Sequence, residues 1–384
     1  MKPRRYQLTK DAHSIIARGN PWLFREQLST AASVFADGDL LRLVDGTNTT
    51  VAYGAYESEG AIAIRVLRRG ADRPDATWLS AALTASIRRR APLEARTTGI
   101  RLVHGESDGI PAVVADQFGD TVVVASYSKG SDALARFVAR SLRTRAANVL
   151  LKPALRRRGD LQPARTLFGE APQIARFVED GLPFAVDLAE GQKTGTYLDL
   201  RGLRQALATA PLAGARVLNL FAYTGMLGRA AEAAGAASIT HVDQSQRALD
   251  FARAHHAADP SRHDYVVADI FAWLPALDRA EQYDLVIVDP PSMTSKKTQV
   301  PQVLAAYKKL YRAAREHVRP GGLLVAACCT SRVERTVFQR TVREALGPDF
   351  TMERELAPEA DHPVTFPQAD YLKIAWWRRA GGAV

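Results

Sequence analysis

From residue 191 onward the chain alternates short apolar runs with segments of helical spacing, the signature of an open, mainly parallel α/β sheet. The apolar runs fall at 216–220, 238–243, 264–267, 285–289, 323–327 and 372–377, and helical spacing holds over 226–234 and 246–255. Upstream the pattern differs. Runs 40–44 and 61–67 read as strands beside the turns Asp45-Gly46 and Glu59-Gly60, and a short helix at 13–18 is closed by Gly19-Asn20-Pro21. After a linker at 72–75, a helix is predicted at 78–90. Strands at 110–115 and 121–126 flank Phe118-Gly119-Asp120, a helix covers 131–145, and strands follow at 149–152 and 183–188. The pattern predicts three parts: a small β module over 1–74, a strand-strand-helix-strand-strand unit over 75–190, and an α/β domain over 191–384.

Composition narrows the class. The 384 residues are 47% hydrophobic and 24% charged, ordinary for a globular chain. No apolar run approaches the ~20 residues that span a bilayer. Met1-Lys2-Pro3-Arg4-Arg5 is not followed by an apolar stretch, which predicts a cytoplasmic protein. The two cysteines, Cys328 and Cys329, are adjacent, too few for a Cys₄ zinc site and poorly placed for a structural disulfide, so no metal is expected. A net charge of +10, with clusters at Arg88-Arg89-Arg90, Arg156-Arg157-Arg158, Lys296-Lys297 and Lys308-Lys309, favours a polyanionic partner.

The candidate chemistry sits at the carboxyl ends of the predicted strands, where open α/β sheets bind ligands. The first strand runs through Asn219 into Phe221-Ala222-Tyr223-Thr224-Gly225, the second ends in Asp243, the third leads to Asp269 and the fourth to Asp289-Pro290-Pro291. A dinucleotide site needs several glycines to admit a pyrophosphate. Here one glycine stands among bulky aromatics, which suits S-adenosylmethionine (SAM), a cofactor without phosphate. Asp243 is placed to accept from ribose hydroxyls, and Asp269 from an adenine amino group. Each acid alone reads more readily as a helix N-cap; the four strand ends in order on successive strands make the pattern.

The predicted fifth strand ends at Cys328-Cys329, opposite the Asp-Pro-Pro loop. A thiolate that adds to carbon 6 of a pyrimidine makes carbon 5 nucleophilic enough to take a sulfonium methyl. Successive strand residues face opposite ways, so one cysteine at most reaches such a base. Nearby positive charge, for which Lys193 is a candidate, would favour the thiolate. Asp289 is positioned to hydrogen-bond the base edge. Two other readings remain: methylation of a ring nitrogen or exocyclic amine of guanine or adenine, which needs no cysteine, and a non-catalytic RNA-binding assembly factor on a vestigial SAM fold.

Motifs along essentially the whole chain resemble a known family. Residues 15–24 (IIARGNPWLF), 105–111 (GESDGIP), 191–199 (GQKTGTYLD) with Arg201, 219–225 (NLFAYTG), Asp289-Pro290-Pro291, 361–364 (DHPV) and 370–373 (DYLK) are similar to the PUA-domain-containing 23S ribosomal RNA cytosine-5 methyltransferases. The resemblance implies a Rossmann-like class I SAM methyltransferase domain preceded by a PUA-like RNA-binding module and a small α+β middle domain. It implies SAM as cofactor and 23S-type ribosomal RNA as partner, and allows a homodimer. Gln192, Lys193, Tyr197 and Asp199 would cover the cofactor, and Phe221, Tyr223 and Gly225 would line its methionine end. Cys329 falls in register with the family's nucleophile, although the family's Ser-Cys-Ser element is Cys328-Cys329-Thr330-Ser331 here, which leaves Cys328 as a substitute. Ser292-Met293 also departs from the Lys-Phe more usual after the prolines.

Overall fold

The structure, a computed structural model, describes residues 2–29, 34–153, 163–170, 172–294 and 296–381. The Arg156-Arg157-Arg158 cluster lies outside the described residues. The chain forms two compact units, residues 1–198 with 360–366, and residues 199–359 with 367–384.

The first unit begins with β1 (Arg4–Gln7), α1 (Lys10–Ala17), β2 (Trp22–Phe24), β3 (Leu40–Val44), β4 (Thr50–Tyr56) and β5 (Ile62–Arg69). The strands form a sheet in the order β1-β3-β4-β5-β2. Tyr6, Ile16, Leu23, Leu41, Leu43 and Ile64 fill its core. Next come α2 (Ala76–Arg90), β6 (Gly99–His104), β7 (Val113–Phe118), β8 (Thr121–Ser126), α3 (Asp132–Ser141), β9 (Asn148–Lys152) and β10 (Arg165–Phe168). This second sheet has the order β10-β9-β8-β7-β6. Strand β7 starts at Val113, later than its apolar run suggests, because Gly109 and Ala112 take left-handed φ of 74° and 54° and turn the chain first. Glu106 joins the two sheets, accepting from the Trp22 indole N–H (2.7 Å) and from Arg65 (2.5 Å).

Of the Arg88-Arg89-Arg90 cluster, Arg90 is fully buried and forks onto both oxygens of Asp108 (2.8 and 2.6 Å). Its charge is spent inside the protein rather than offered to a polyanion. The hairpin β11 (Ile174–Glu179) and β12 (Leu182–Asp187) leads to the turn at 191–197.

The second unit contains α4 (Arg201–Ala208), β13 (Arg216–Leu220), α5 (Met226–Ala233), β14 (Ser238–Asp243), α6 (Gln246–His255), β15 (His263–Val267), α7 (Ile270–Ala276), β16 (Tyr283–Val288), α8 (Val300–Arg315), β17 (Val318–Cys328), α9 (Arg335–Leu346), β18 (Phe350–Leu356) and β19 (Lys373–Arg379). Its seven-stranded sheet runs β15-β14-β13-β16-β17-β19-β18, and only β19 is antiparallel to its neighbours. The order reverses between β13 and β16, the position at which such sheets open a crevice at their carboxyl ends. One face packs Leu218, Leu220, Val286, Val288, Leu324 and Cys328 against Tyr307 and Tyr311 of α8 and Phe338 of α9. Residues of β13, β16 and β17 are buried on both faces, which is why their sequence reads as near-continuous apolar runs.

Candidate active site

The β13–α5 loop is the most constrained segment of the second unit. Phe221, Tyr223 and Gly225 all take positive φ (58°, 47° and 77°). Left-handed backbone is costly for an aromatic residue and persists where the surroundings over-determine it. They do so here. Ala222 N–H donates to the Val242 carbonyl (3.1 Å), and Tyr223 N–H donates to Asp243 Oδ2 (2.9 Å). The other oxygen of Asp243 accepts from Ser245 N–H (2.9 Å), so the carboxylate is locked at the end of β14. A Cβ on Gly225 would stand 2.8 Å from Ala252 Cβ, on top of the φ penalty.

Beneath this loop lies a chain of buried polar groups. Asn219 is fully buried, and its amide lies 3.2 Å from His241 Nδ1. His241 Nε2 meets His263 Nδ1 at 2.9 Å, and His263 Nε2 reaches Glu232 at 3.3 Å. An amide nitrogen only donates, so Asn219 donates to His241 Nδ1, His241 carries its proton on Nε2 and donates to His263 Nδ1, and the His263 proton lies on Nε2. Tyr265 stacks on the His241 ring at 5.0 Å, and His256 Nδ1 donates to the Thr224 carbonyl (2.5 Å). A Cβ on Gly228 would come within 2.2 Å of His241 Cε1, so α5 rides directly on this ring. Burial pushes the His241 pKa down to about 3, with His263 and His256 adding to the shift. No periodicity in the sequence marks this chain. Its only trace is that Asn219 and His241 occupy paired positions on adjacent strands.

The remaining strand ends line up beside the loop. Asp269 is exposed and caps α7, accepting from Phe271 N–H (3.0 Å). Phe271 meets Phe221 edge to face at 6.0 Å, giving an apolar wall next to the two acids. Asp289 is half-buried at the end of β16, before the buried Pro290. Cys329 is half-buried after β17, and its Sγ lies 3.6 Å from the Pro290 carbonyl. Cys328 points the other way into the core and accepts from the Tyr307 hydroxyl (3.3 Å). The strand alternation thus sets Cys329, not Cys328, against the Asp-Pro-Pro loop. Lys373 of β19, which the sequence offered only within a C-terminal motif, is fully buried and pairs in register with Cys328. Asp199 accepts from Tyr371 Oη (2.5 Å) in the same unit.

Gln192, Lys193 and Tyr197 belong to the first unit and come together in one turn. Tyr197 donates to Gln192, and the Lys193 ammonium sits 4.5 Å above the Tyr197 ring. The turn is anchored from below: Thr194 donates to Asp116 (2.5 Å), Arg101 forks onto the same carboxylate, and Lys152 donates to the Lys193 carbonyl (3.0 Å).

The second unit's strand ends suit SAM on their own chemistry. They offer fixed carboxylates for a diol and an amine, an aromatic wall, and one glycine where a pyrophosphate would need an open cradle. The family of S-adenosylmethionine-dependent methyltransferases matches residues 126–375, and a PUA-like domain matches 7–69. The chain belongs to the SAM-dependent methyltransferases. It is 32% identical to the ribosomal RNA large subunit methyltransferase of Deinococcus radiodurans, over 97% of this chain and 96% of that protein. It is 30% identical to ribosomal RNA large subunit methyltransferase I of Aeromonas salmonicida, over 95% and 97% respectively. A Streptococcus mutans chain assigned as a SAM-dependent methyltransferase superposes with a TM-score of 0.84 at 23% identity, covering 97% of this chain and 99% of that one. An assigned methyltransferase solved with SAH superposes at 0.85, again at 23% identity over 97% and 99%. This methyltransferase therefore uses SAM and carries a PUA-like module at its N-terminus. Among its described residues no helix is long and apolar enough to cross a membrane, and no cluster of His, Cys, Asp and Glu could hold a metal.

Proposed function

We propose that this methyltransferase transfers a methyl group to carbon 5 of a cytidine in large-subunit ribosomal RNA, in the cytoplasm, through a covalent Cys329 adduct. The observation that carries the reading is the half-buried Cys329 sulfur beside the Pro290 carbonyl, with Cys328 turned into the core. The relatives' common assignment to the large ribosomal subunit supports the substrate. Residues 1–74 serve as the RNA-binding module and 75–190 as a middle domain ahead of the catalytic domain at 191–384. The resemblance that suggests this division also allows a homodimer.

SAM supplies an electrophilic methyl, and the chain does the rest. Asp243 takes the ribose hydroxyls and Asp269 the adenine amine, through the oxygen its helix cap leaves over. Phe221, Tyr223 and Gly225 shape the methionine end. Asn219, fully buried, acts through His241 as a support of that loop. Gln192, Lys193, Tyr197 and Asp199 cover the cofactor. Asp289 orients the cytosine. The Cys329 thiolate adds to carbon 6, and the electron pair so placed on carbon 5 forms the bond to the methyl as the methyl–sulfur bond breaks and leaves its electrons on that sulfur. A base then removes the carbon 5 proton, and the electrons of that bond expel the thiolate.

Two measurements test this reading. Incubation with labelled SAM and undermethylated 23S ribosomal RNA, followed by digestion, should yield 5-methylcytidine. A methylated guanosine or adenosine would overturn the carbon 5 assignment. For the cofactor loop, Gly225→Ala should weaken SAM binding by about ten- to a hundredfold by calorimetry, the equivalent of roughly 1–3 kcal/mol of backbone strain. Unchanged affinity would remove this loop from the site.

A further inference from the structure

The paired register of β17 and β19 ends at Cys328 and Lys373. Cys329 comes after this last rung, where ladder pairing no longer imposes which way a side chain faces. The residue that follows it is built as an anchor. Thr330 is fully buried. Its hydroxyl meets Tyr307 Oη of α8 at 3.1 Å, and its carbonyl accepts from Lys373 Nζ (3.0 Å) and from Val333 N–H (3.1 Å). Tyr307 also donates to Cys328 Sγ (3.3 Å). One hydroxyl thus holds the residues on both sides of Cys329, and both turn toward α8. Cys329 between them turns the other way, with its sulfur 3.6 Å from the Pro290 carbonyl. We propose that Thr330, gripped by Tyr307 and Lys373, is the positioning residue that keeps the Cys329 sulfur at the Asp-Pro-Pro loop.

The inference rests on the reading of Cys329 as nucleophile and adds what holds it in place. A buried hydroxyl costs free energy unless it is paired, and valine would fill the same space without that need. At this position the hydroxyl and the carbonyl are both paired, each to a different element of the unit. The Tyr307 end of the grip is rigid. Its ring stacks on Tyr311 at 6.2 Å and meets Phe338 edge to face at 5.7 Å. Burial pushes its hydroxyl well above the ordinary tyrosine range, so it stays protonated. The Lys373 end ties two chain segments together, because Nζ also donates to the Tyr371 carbonyl (3.0 Å). Cys328 is the lesser half of the Tyr307 contact, since with alanine there Tyr307 still holds Thr330. Attack on a base carbon needs the sulfur within about 3–3.5 Å of it, and a displacement of about 1 Å costs on the order of a hundredfold in rate. A residue that fixes the chain next to the nucleophile therefore acts on rate, through the sulfur and not on the base.

The test is Thr330→Val in the full chain, which keeps the shape and removes the hydroxyl. Tyr307 still donates to Cys328 in this variant, so no buried donor is stranded. kcat for methyl transfer should fall about ten- to a hundredfold. KM for RNA and the affinity for SAM should stay within about twofold of the parent, because neither ligand loses a contact. Thr330→Ser, which restores the hydroxyl, should recover most of the rate. Tyr307→Phe should lower kcat in the same way, and the double variant should lose no more than the worse single one, since both remove one contact. A serine variant no faster than the valine one, or losses that multiply in the double variant, overturns the proposal. Alkylation of Cys329 by iodoacetamide, located by fragmentation of the labelled peptide, reads the same grip without RNA or SAM. The released sulfur should react several-fold faster in Thr330→Val than in the parent, and an unchanged alkylation rate overturns the proposal whatever kcat does. Faster alkylation with a parental kcat would leave Thr330 holding the sulfur and sink the reading of Cys329 as nucleophile instead.

Discussion

Cys329→Ala should lower methyl transfer by about a thousandfold or more, whereas Cys328→Ala should keep it within a few-fold of the parent. The asymmetry follows from strand geometry. Cys328 ends β17 with its side chain among Tyr307, Val288 and Ala326, and trimming it to alanine removes one sulfur from a packed wall. Such a change costs stability on the order of 1 kcal/mol and leaves the crevice intact. Cys329 turns toward Pro290, the place where a base edge would lie if Asp289 orients it. Without the thiolate, carbon 5 of cytosine keeps its low nucleophilicity, and a thousandfold loss corresponds to ~4 kcal/mol of barrier. RNA containing 5-fluorocytidine gives a second, independent readout. Fluorine on carbon 5 cannot leave as a proton, so the adduct cannot collapse, and protein and RNA should migrate together through a denaturing gel. The Cys329→Ala protein should give no such band, and the Cys328→Ala protein should. Equal loss in both single variants, or a covalent band that survives Cys329→Ala, would move the nucleophile elsewhere.

What the sequence revealed, and what it hid, divides along physical lines. The central strands β13, β16 and β17 were legible because burial on both faces writes them as apolar runs. Strand β18 was missed. It borders only β19, and most of Phe350–Leu356 faces solvent, so its residues read as polar loop. Strand β4 escaped because Gly54 interrupts it. There a Cβ would meet Ile64 Cγ2 at 2.5 Å, and the glycine marks close packing instead of a break. In the site, the strand-end acids were legible through their order along the chain. The choice between the two cysteines was not, since it depends on which face of β17 meets α8. The support beneath the loop was invisible for a stronger reason. Asn219, His241, His256 and His263 are scattered over 45 residues, and only parallel pairing of β13, β14 and β15 brings three of them into line. Lys373 left a faint signal, a single charge at the head of an apolar run.

That support makes the catalytic unit acid-labile above the range in which carboxylates titrate. In the folded chain His241 takes up a proton only near pH 3, because it is buried and faces His263 and His256. His263 is also held below the ordinary histidine value, by burial first, against the pull of Glu232. In the unfolded chain both titrate near 6.5. A depressed folded value means that the unfolded state binds more protons throughout the interval, so stability is fully present above pH 6.5 and drains away as pH falls. The slope is about 1.4 kcal/mol per pH unit for each histidine that stays neutral in the fold. Between pH 6.5 and 5 most carboxylates remain ionised, and a loss of about 2 kcal/mol or more in that window belongs to the histidines. Urea midpoints measured at half-unit steps should therefore slide downward from pH 6.5 to 5, and SAM affinity should fall in parallel. Protonating His241 Nδ1 removes the acceptor that faces the Asn219 amide, and that ring carries α5 beneath the left-handed turn at Gly225. His241→Gln fills much of the same space and cannot gain a proton. It should start less stable at pH 7 and lose less on acidification. A urea midpoint as flat in the parent as in His241→Gln over this window would show that the loop stands without the relay. A fall in SAM affinity on acidification that disappears in His241→Gln would tie cofactor binding to protonation of the buried ring beneath the loop.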